Sequence, residues 1–270
     1  VPLTGIVGDQ QSAMIGQRCF SPGMAKTTFG TGAFTLMHTG DSAFSSSNGL
    51  LTTALYSEPG ELDASRVSYA LEGSVGSCAV GINWFLNKLA MFDSPQEMDR
   101  RAEEAMLGSG TEGLYFVSAF GGLLAPYWRD DARGTLVGLT LAHGRSHVAL
   151  SILEGIAFQV REVADAMVSD TGGAHSLVAM KVDGGVCRSD PLLQSQANLL
   201  GVNVVRPKNV ETTASGAAIC CGAGLGLWDR YEDAPSGRPE DDQGSTDDAV
   251  FAPAISAKER DARVESWNAA

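Results

Sequence analysis

The sequence predicts a mixed α/β fold, a sheet flanked by helices, and three observations carry that reading. Strand-type runs crowd the first third of the chain, separated by clusters of Gly, Asn and Ser. A single apolar helical face then runs through residues 146–167. Beyond it, the apolar run LVAMKV (177–182) gives way to a capped helix and then to VNVV (202–205), a strand–helix–strand unit.

The elements follow in order. VPLTGIVG reads as a loop and a strand already in progress, and with no initiator Met the chain is expected to be part of a longer protein. KTTFGTGAFTLMHTG (26–40) holds two β-type runs around a Gly-Thr-Gly turn, and GLLTTALYSE (49–58) and RVSYALEG (66–73) continue the pattern. From Ser74 to about Leu89 the periodicity turns helical. Ser94-Pro95 supplies an N-cap and a first-turn proline for a charged amphipathic helix ending near Gly108. YFV (115–117) and TLVGL (135–139) read as strands. Ser146 is expected to cap a long helix with Val148, Ile152, Ile156, Val160, Val163 and Met167 on one face. Asp190-Pro191 opens another helix, which Gly201 closes. TTASGAAICCGAGLGLW (212–228) is a helix of small residues suited to close packing. Residues 235–249 read as an acidic surface loop, and a last helix spans roughly 256–268.

At 270 residues, 44% hydrophobic and 19% charged, the chain can build a core without disulfides or metal. A net charge of −13 with scattered Lys and Arg excludes nucleic acid as the expected partner. The five cysteines include no C-x-x-C and read as reduced, buried thiols. His38, His143, His147 and His175 have no ligand spacing with a Cys and read as surface or cap residues, so no metal site is expected. With no signal peptide and no apolar run long enough for a membrane span, the expected compartment is the cytoplasm.

Three glycine-bearing turns follow predicted strands: Gly8-Asp9-Gln10-Gln11, Gly30-Thr31-Gly32 and Asp183-Gly184-Gly185. Glycine at strand ends lets a backbone approach a phosphate closely, but it is equally a plain turn former. Asp9 is either a local cap, bonding its own backbone, or a general base. The adjacent amide of Gln10 suits recognition of hydroxyl groups, which an alcohol-deprotonating base needs beside it. Phe34 is either a core aromatic or the apolar wall of a site for a small polyol.

GDQQSAMIGQ, GMAKTTFGTGAFTLMHTG, NGLLTTALY and YALEGSV resemble the glycerol kinases of the FGGY carbohydrate kinase family. VSAFGGLLAPYWRDDARGTLVGLT is similar to the family's central segment, and its continuation matches a family signature across Gly134, Gly138, His147 and Glu154. VDGG, TTASGAA and GLGLW agree. The resemblance implies an actin-like ATPase, ribonuclease H-like fold of two domains, with ATP and substrate in the cleft between them. This chain would be the carboxyl-terminal half. Residues 1–20 would end the interdomain boundary region, residues 21–270 would form the C-terminal kinase domain, and the N-terminal domain would be its partner.

The implied reaction is ATP-dependent phosphorylation of glycerol to glycerol 3-phosphate, with Mg²⁺. By the resemblance, Asp9 is the general base, Gln10 holds the glycerol hydroxyls and Phe34 packs on the glycerol backbone. Thr31 contacts the ATP phosphates, Gly185 contacts the nucleotide across the cleft, and Asn83 and Ser189 line the nucleotide side. The family often has Gly where Ala79 stands, Gln where Asn83 stands and Asn where Ser189 stands. Ala79 can serve through its backbone, and water can take up the reach lost at Asn83 and Ser189. The alternatives are a kinase for another small polyol or sugar, and a non-catalytic binding fragment. A homo-oligomer is left open. The half alone is expected to be inactive or nearly so.

Overall fold

The structure, a computed structural model, describes residues 2–61, 67–235 and 248–270. Nine strands and seven α-helices are described: α1 (Asp9–Gly16), β1 (Met24–Phe29), β2 (Ala33–Gly40), β3 (Leu51–Ser57), β4 (Val67–Val75), α2 (Ala79–Asn83), α3 (Pro95–Leu107), β5 (Tyr115–Val117), β6 (Thr135–Val137), α4 (Arg145–Asp170), β7 (Ala179–Asp183), α5 (Asp190–Leu200), β8 (Val204–Arg206), α6 (Thr212–Gly224), β9 (Ala249–Phe251) and α7 (Ala257–Ala269).

The main sheet has seven strands in the order β3-β4-β2-β1-β7-β8-β9. β1, β2, β4 and β3 pair antiparallel, β1, β7 and β8 pair parallel, and β9 returns antiparallel on the edge. Because side chains alternate along a strand, each central strand serves two cores. Ala25, Phe29, Met37 and Leu71 enter a large core with the apolar face of α4. Met24, Leu36 and Ala70 enter a smaller one with Met14 of α1 and Cys19. Helices α3, α4 and α5 therefore lie on one face, and α1 and α6, packed against each other, lie on the other.

The 26-residue helix α4 is buried along most of its length, as a helix between a sheet and other helices must be. Its start differs from expectation. Ser146 does not cap it; its hydroxyl donates to Glu104 at 3.0 Å. The N-cap is Gly144, whose N–H donates to Nδ1 of His147 at 2.9 Å, the reach-back half of a capping box.

Helix α7 is tied to α4 at three points. The Trp267 ring stacks on Phe158 with centroids 4.7 Å apart and planes 5° apart. Its Nε1 donates to Glu162 at 2.7 Å. Arg263 pairs with the buried Glu154, so two charges leave water together. Trp267→Ala removes both the stack and the hydrogen bond from a buried site, and is expected to cost about 3–5 kcal/mol. Chemical denaturation of the variant beside the parent measures this, and a loss below about 1 kcal/mol would contradict docking of α7 through this residue.

Several local expectations are corrected. Residues 2–8 form no strand, and Asp9 opens a helix instead of following one. The stretch expected to be helical from Ser74 is strand through Val75, because it pairs with Ala33 and Phe34 of β2. Helix begins only at Ala79, and residues Trp84–Lys88 continue as one wide turn. The small-residue helix stops at Gly224, short of 228, and strand β9 at 249–251 had no sequence signal. Most of the acidic stretch, 236–247, lies outside the described residues. His38 is buried, not a surface or cap residue. Burial holds its pKa down to about 4. Its Nδ1 accepts from the Gly40 N–H, so the proton of the neutral ring sits on Nε2, toward the Tyr56 hydroxyl. All five thiols are free. Four are buried, and Cys221 is half-buried.

Candidate active site

β1 and β7 are parallel neighbours, with Thr28 beside Asp183 in register. They end together, so Gly30-Thr31-Gly32 and Asp183-Gly184-Gly185 emerge side by side at the carboxyl end of the sheet. Gly184 has φ +85°, and a Cβ there would stand 2.4 Å from the Phe29 carbonyl. Only glycine lets the two turns touch in this way.

The Gly-Thr-Gly turn is held from behind. Its Gly30 and Thr31 carbonyls accept the N–H groups of Ala79 (3.1 Å) and Cys78 (3.0 Å), which docks it on the start of α2. Thr31 is left exposed, and Asn83, one turn along α2, is exposed too. Gly185 is exposed at the start of a 3₁₀ turn through Arg188. A cavity of about 190 Å³ opens beside it, lined by Thr28, Asp183, Gly185, Arg188, Glu211 and Thr212 among others. Asp183 itself is buried and accepts from Gln17 Nε2 at 3.2 Å and from the Thr212 hydroxyl. It ties β7 to the end of α1 and the start of α6.

Ser189 is placed differently from its neighbours. It is buried, donates to Asp99 at 2.6 Å and accepts from the Leu192 N–H as the N-cap of α5. Its hydroxyl is thus committed inside the fold, where it contributes to α5 capping.

Asp9 and Gln10 form the first turn of α1. Asp9 is exposed and accepts the Gln10 N–H at 2.8 Å through Oδ1. Oδ2 makes no hydrogen bond among the described residues, so the local bond leaves one carboxylate oxygen open. Phe34 is 40% exposed and lies opposite Thr28 in register, so it is not a core aromatic. By strand alternation it shares the α1 face with Lys26 and Thr28.

Lys26 was not singled out in the sequence. It is completely buried on β1, and its ammonium donates to Gln10 Oε1 and to Thr28 Oγ1, the latter at 2.8 Å. Burial lowers its pKa, while Asp183, Glu72 and Asp9 all act to keep it charged. The signal was a lone lysine at an inward position of an alternating strand, between Met24 and Thr28.

Asp9, Gln10, Thr31, Phe34 and Gly185 thus gather at one end of the central strands, an arrangement suited to phosphates and hydroxyl groups. Residues 25–225 match the C-terminal domain of the FGGY family of carbohydrate kinases. The chain belongs to this family. A glycerol kinase of Corynebacterium kroppenstedtii is 42% identical over 270 residues, 100% of this chain and 50% of that protein. A probable glycerol kinase of Dictyostelium discoideum is 46% identical over 228 residues, 84% of this chain and 41% of that protein. The solved structure of Plasmodium falciparum glycerol kinase with ADP superposes with a TM-score of 0.88 at 38% identity, covering 100% of this chain and 50% of that one. The FGGY chain therefore spans about half the length of the curated relatives it matches. A xylulose kinase from Lactobacillus acidophilus, TM-score 0.77 at 23% identity, shares the fold. That fold is the actin-like, ribonuclease H-like one, its mixed sheet flanked by helices as expected.

Proposed function

We propose that the complete enzyme carrying this chain transfers the γ-phosphoryl group of ATP to a hydroxyl of glycerol, giving glycerol 3-phosphate and ADP. One observation carries the reading: an exposed carboxylate, Asp9, directly precedes Gln10, whose side-chain amide meets Lys26 on the sheet face that also presents Phe34. That set offers a base for one hydroxyl, hydrogen bonds for another and an apolar wall for the carbon chain. The overall similarity to glycerol kinases supports glycerol over larger polyols.

In this mechanism Asp9 takes the proton of the attacking hydroxyl. The oxygen–phosphorus bond forms as the bridge between the β- and γ-phosphates breaks, and ADP leaves. Catalysis rests on positioning and on dipoles aimed at the transferring group. Thr31, at the tip of the Gly-Thr-Gly turn, faces the phosphates, and Gly185 admits the nucleotide close to the backbone. Asn83 lines the nucleotide side, and Ser189 contributes by fixing the turn before α5. Mg²⁺ enters as part of the MgATP substrate. Among the described residues no His, Cys, Asp and Glu cluster is placed to hold the ion. The N-terminal domain supplies the opposite wall of the cleft, so the half alone has little activity. No described helix is long and apolar enough to cross a membrane, which is compatible with a cytoplasmic enzyme.

The test is ADP formation by the complete enzyme across glycerol, other triols and diols, and pentoses. Activity that peaks with a pentose would move the reading to another sugar substrate, and none with any acceptor would leave a binding module. Phe34→Ala is expected to raise the glycerol KM about 10-fold, through lost apolar contact with the carbon chain, and to leave the ATP KM within about 2-fold. Equal changes in both constants would remove Phe34 from the glycerol subsite.

A further inference from the structure

The mechanism leaves one buried charge without a role. Lys26 is 0% exposed in the middle of the sheet, where an apolar side chain would pack at no electrostatic cost. Its ammonium donates to two partners, Gln10 Oε1 and Thr28 Oγ1, and both belong to the site face. We infer that Lys26 is a positioning residue that sets the orientation of the Gln10 amide and thereby decides how the enzyme receives its alcohol.

The reasoning is one of donors and acceptors. An ammonium has three N–H groups and no lone pair. The Gln10 atom that meets it must therefore be the carbonyl oxygen, and the amide nitrogen must point the other way. Among the described residues Gln10 Nε2 has no hydrogen-bond partner, so its two N–H groups remain available. A hydroxyl that accepts from Nε2 keeps its own proton free to donate. Asp9, the preceding residue on the same helical turn, offers an acceptor for it. The flipped amide would present its oxygen, accept the hydroxyl proton and compete with the base.

Charge keeps the arrangement in place. Leu36 pairs with both Lys26 and Glu72 across the sheet, so Glu72 lies on the same face one strand further on. With Asp183 and Asp9 it favours the ammonium form against the desolvation that opposes it. A charged donor holds a neutral amide more firmly than a neutral donor does.

This inference rests on the glycerol kinase reading, and its test separates the two. The complete enzyme is compared with Lys26→Met, Gln10→Ala and the double variant, measuring kcat and KM for glycerol and for ATP. Methionine keeps an unbranched apolar stem as far as the ε position and removes the ammonium. Lys26→Met is expected to raise the glycerol KM about 10-fold or more and to leave the ATP KM within about 2-fold. If Lys26 acts through Gln10, the double variant is no worse than Gln10→Ala alone. Additive effects, or a fall in melting temperature with an unchanged glycerol KM, would overturn the proposal. If Lys26→Met does not fold, Gln10→Ala still reads the contact. It takes an acceptor from a buried ammonium and should lower the melting temperature by several degrees, whereas an unchanged value would overturn it. A parent enzyme inactive on glycerol would instead remove the functional reading on which the inference stands.

Discussion

Asp9→Asn is expected to lower glycerol-dependent ADP formation by about 10²–10⁴-fold, the range over which a positioned general base contributes. The loss should fall on kcat, with the ATP KM nearly unchanged, because the carboxylate acts on the proton leaving the attacking hydroxyl. Asparagine keeps the size of the side chain and an oxygen that can accept the Gln10 N–H, now 2.8 Å from Asp9 Oδ1. Stability should therefore change little, and a thermal melt beside the assay checks that. Asp9 is exposed at the start of α1, so a folding defect is not the expected route to inactivity. An Asp9→Asn enzyme with activity within a few-fold of the parent would remove Asp9 as the base and leave it as a local cap.

Gly216→Ala should lose both stability and activity. Alanine is the better helix former by about 1 kcal/mol, so on an isolated helix the change would stabilise. Here the sign reverses. A Cβ on Gly216 would stand 1.8 Å from the Ser12 carbonyl, and one on Gly16 would stand 2.0 Å from the Thr212 carbonyl. Helices α1 and α6 therefore meet backbone to backbone, and the Ser12 hydroxyl donates to the Thr213 carbonyl at 2.6 Å across the same contact. Neither carbonyl can rotate away as a side-chain tip would. Overpacking of this kind costs about 1–3 kcal/mol or more. It should also reduce activity, because moving α1 moves Asp9 and Gln10, and a displacement of about 1 Å can cost ~10²-fold in rate. Chemical denaturation and ADP formation measure the two effects. Ala218→Gly, on the exposed side of α6, provides the comparison and should cost only about 1 kcal/mol, with activity retained. Equal behaviour of the two variants would show that the helix crossing has room for a methyl group.

Both predictions concern features that the sequence only half revealed. The small residues of 212–224 announced close packing, but not its partner. That α1 is the partner depends on residues some 200 positions away, which no local pattern specifies. Asp9 stood out as a carboxylate beside an amide after glycine, yet its setting was misread. The apolar residues before it suggested a strand, and with no neighbouring strand to pair with, residues 2–8 form none. Only the family resemblance pointed to Ser189 as lining the nucleotide side. Its hydroxyl is engaged by Asp99, which lies on another helix and so left no trace near it in the sequence.

Local patterns along the chain suffice for the class of the fold, the order of most elements, the three glycine turns and the family. These follow from short-range rules. Alternation marks strands, a 3.6-residue period marks helices, and glycine marks places where a backbone must turn or come close. That β1 and β7 are parallel neighbours, that their turns open at the same end of the sheet, and that Lys26 lies buried against Gln10 are visible only in the folded chain. Register and burial are long-range properties. A lysine in a strand can point to water or to a core, and the sheet and helices around it determine which. For Lys26 they enclosed the charge and placed Gln10 and Thr28 within reach of its ammonium.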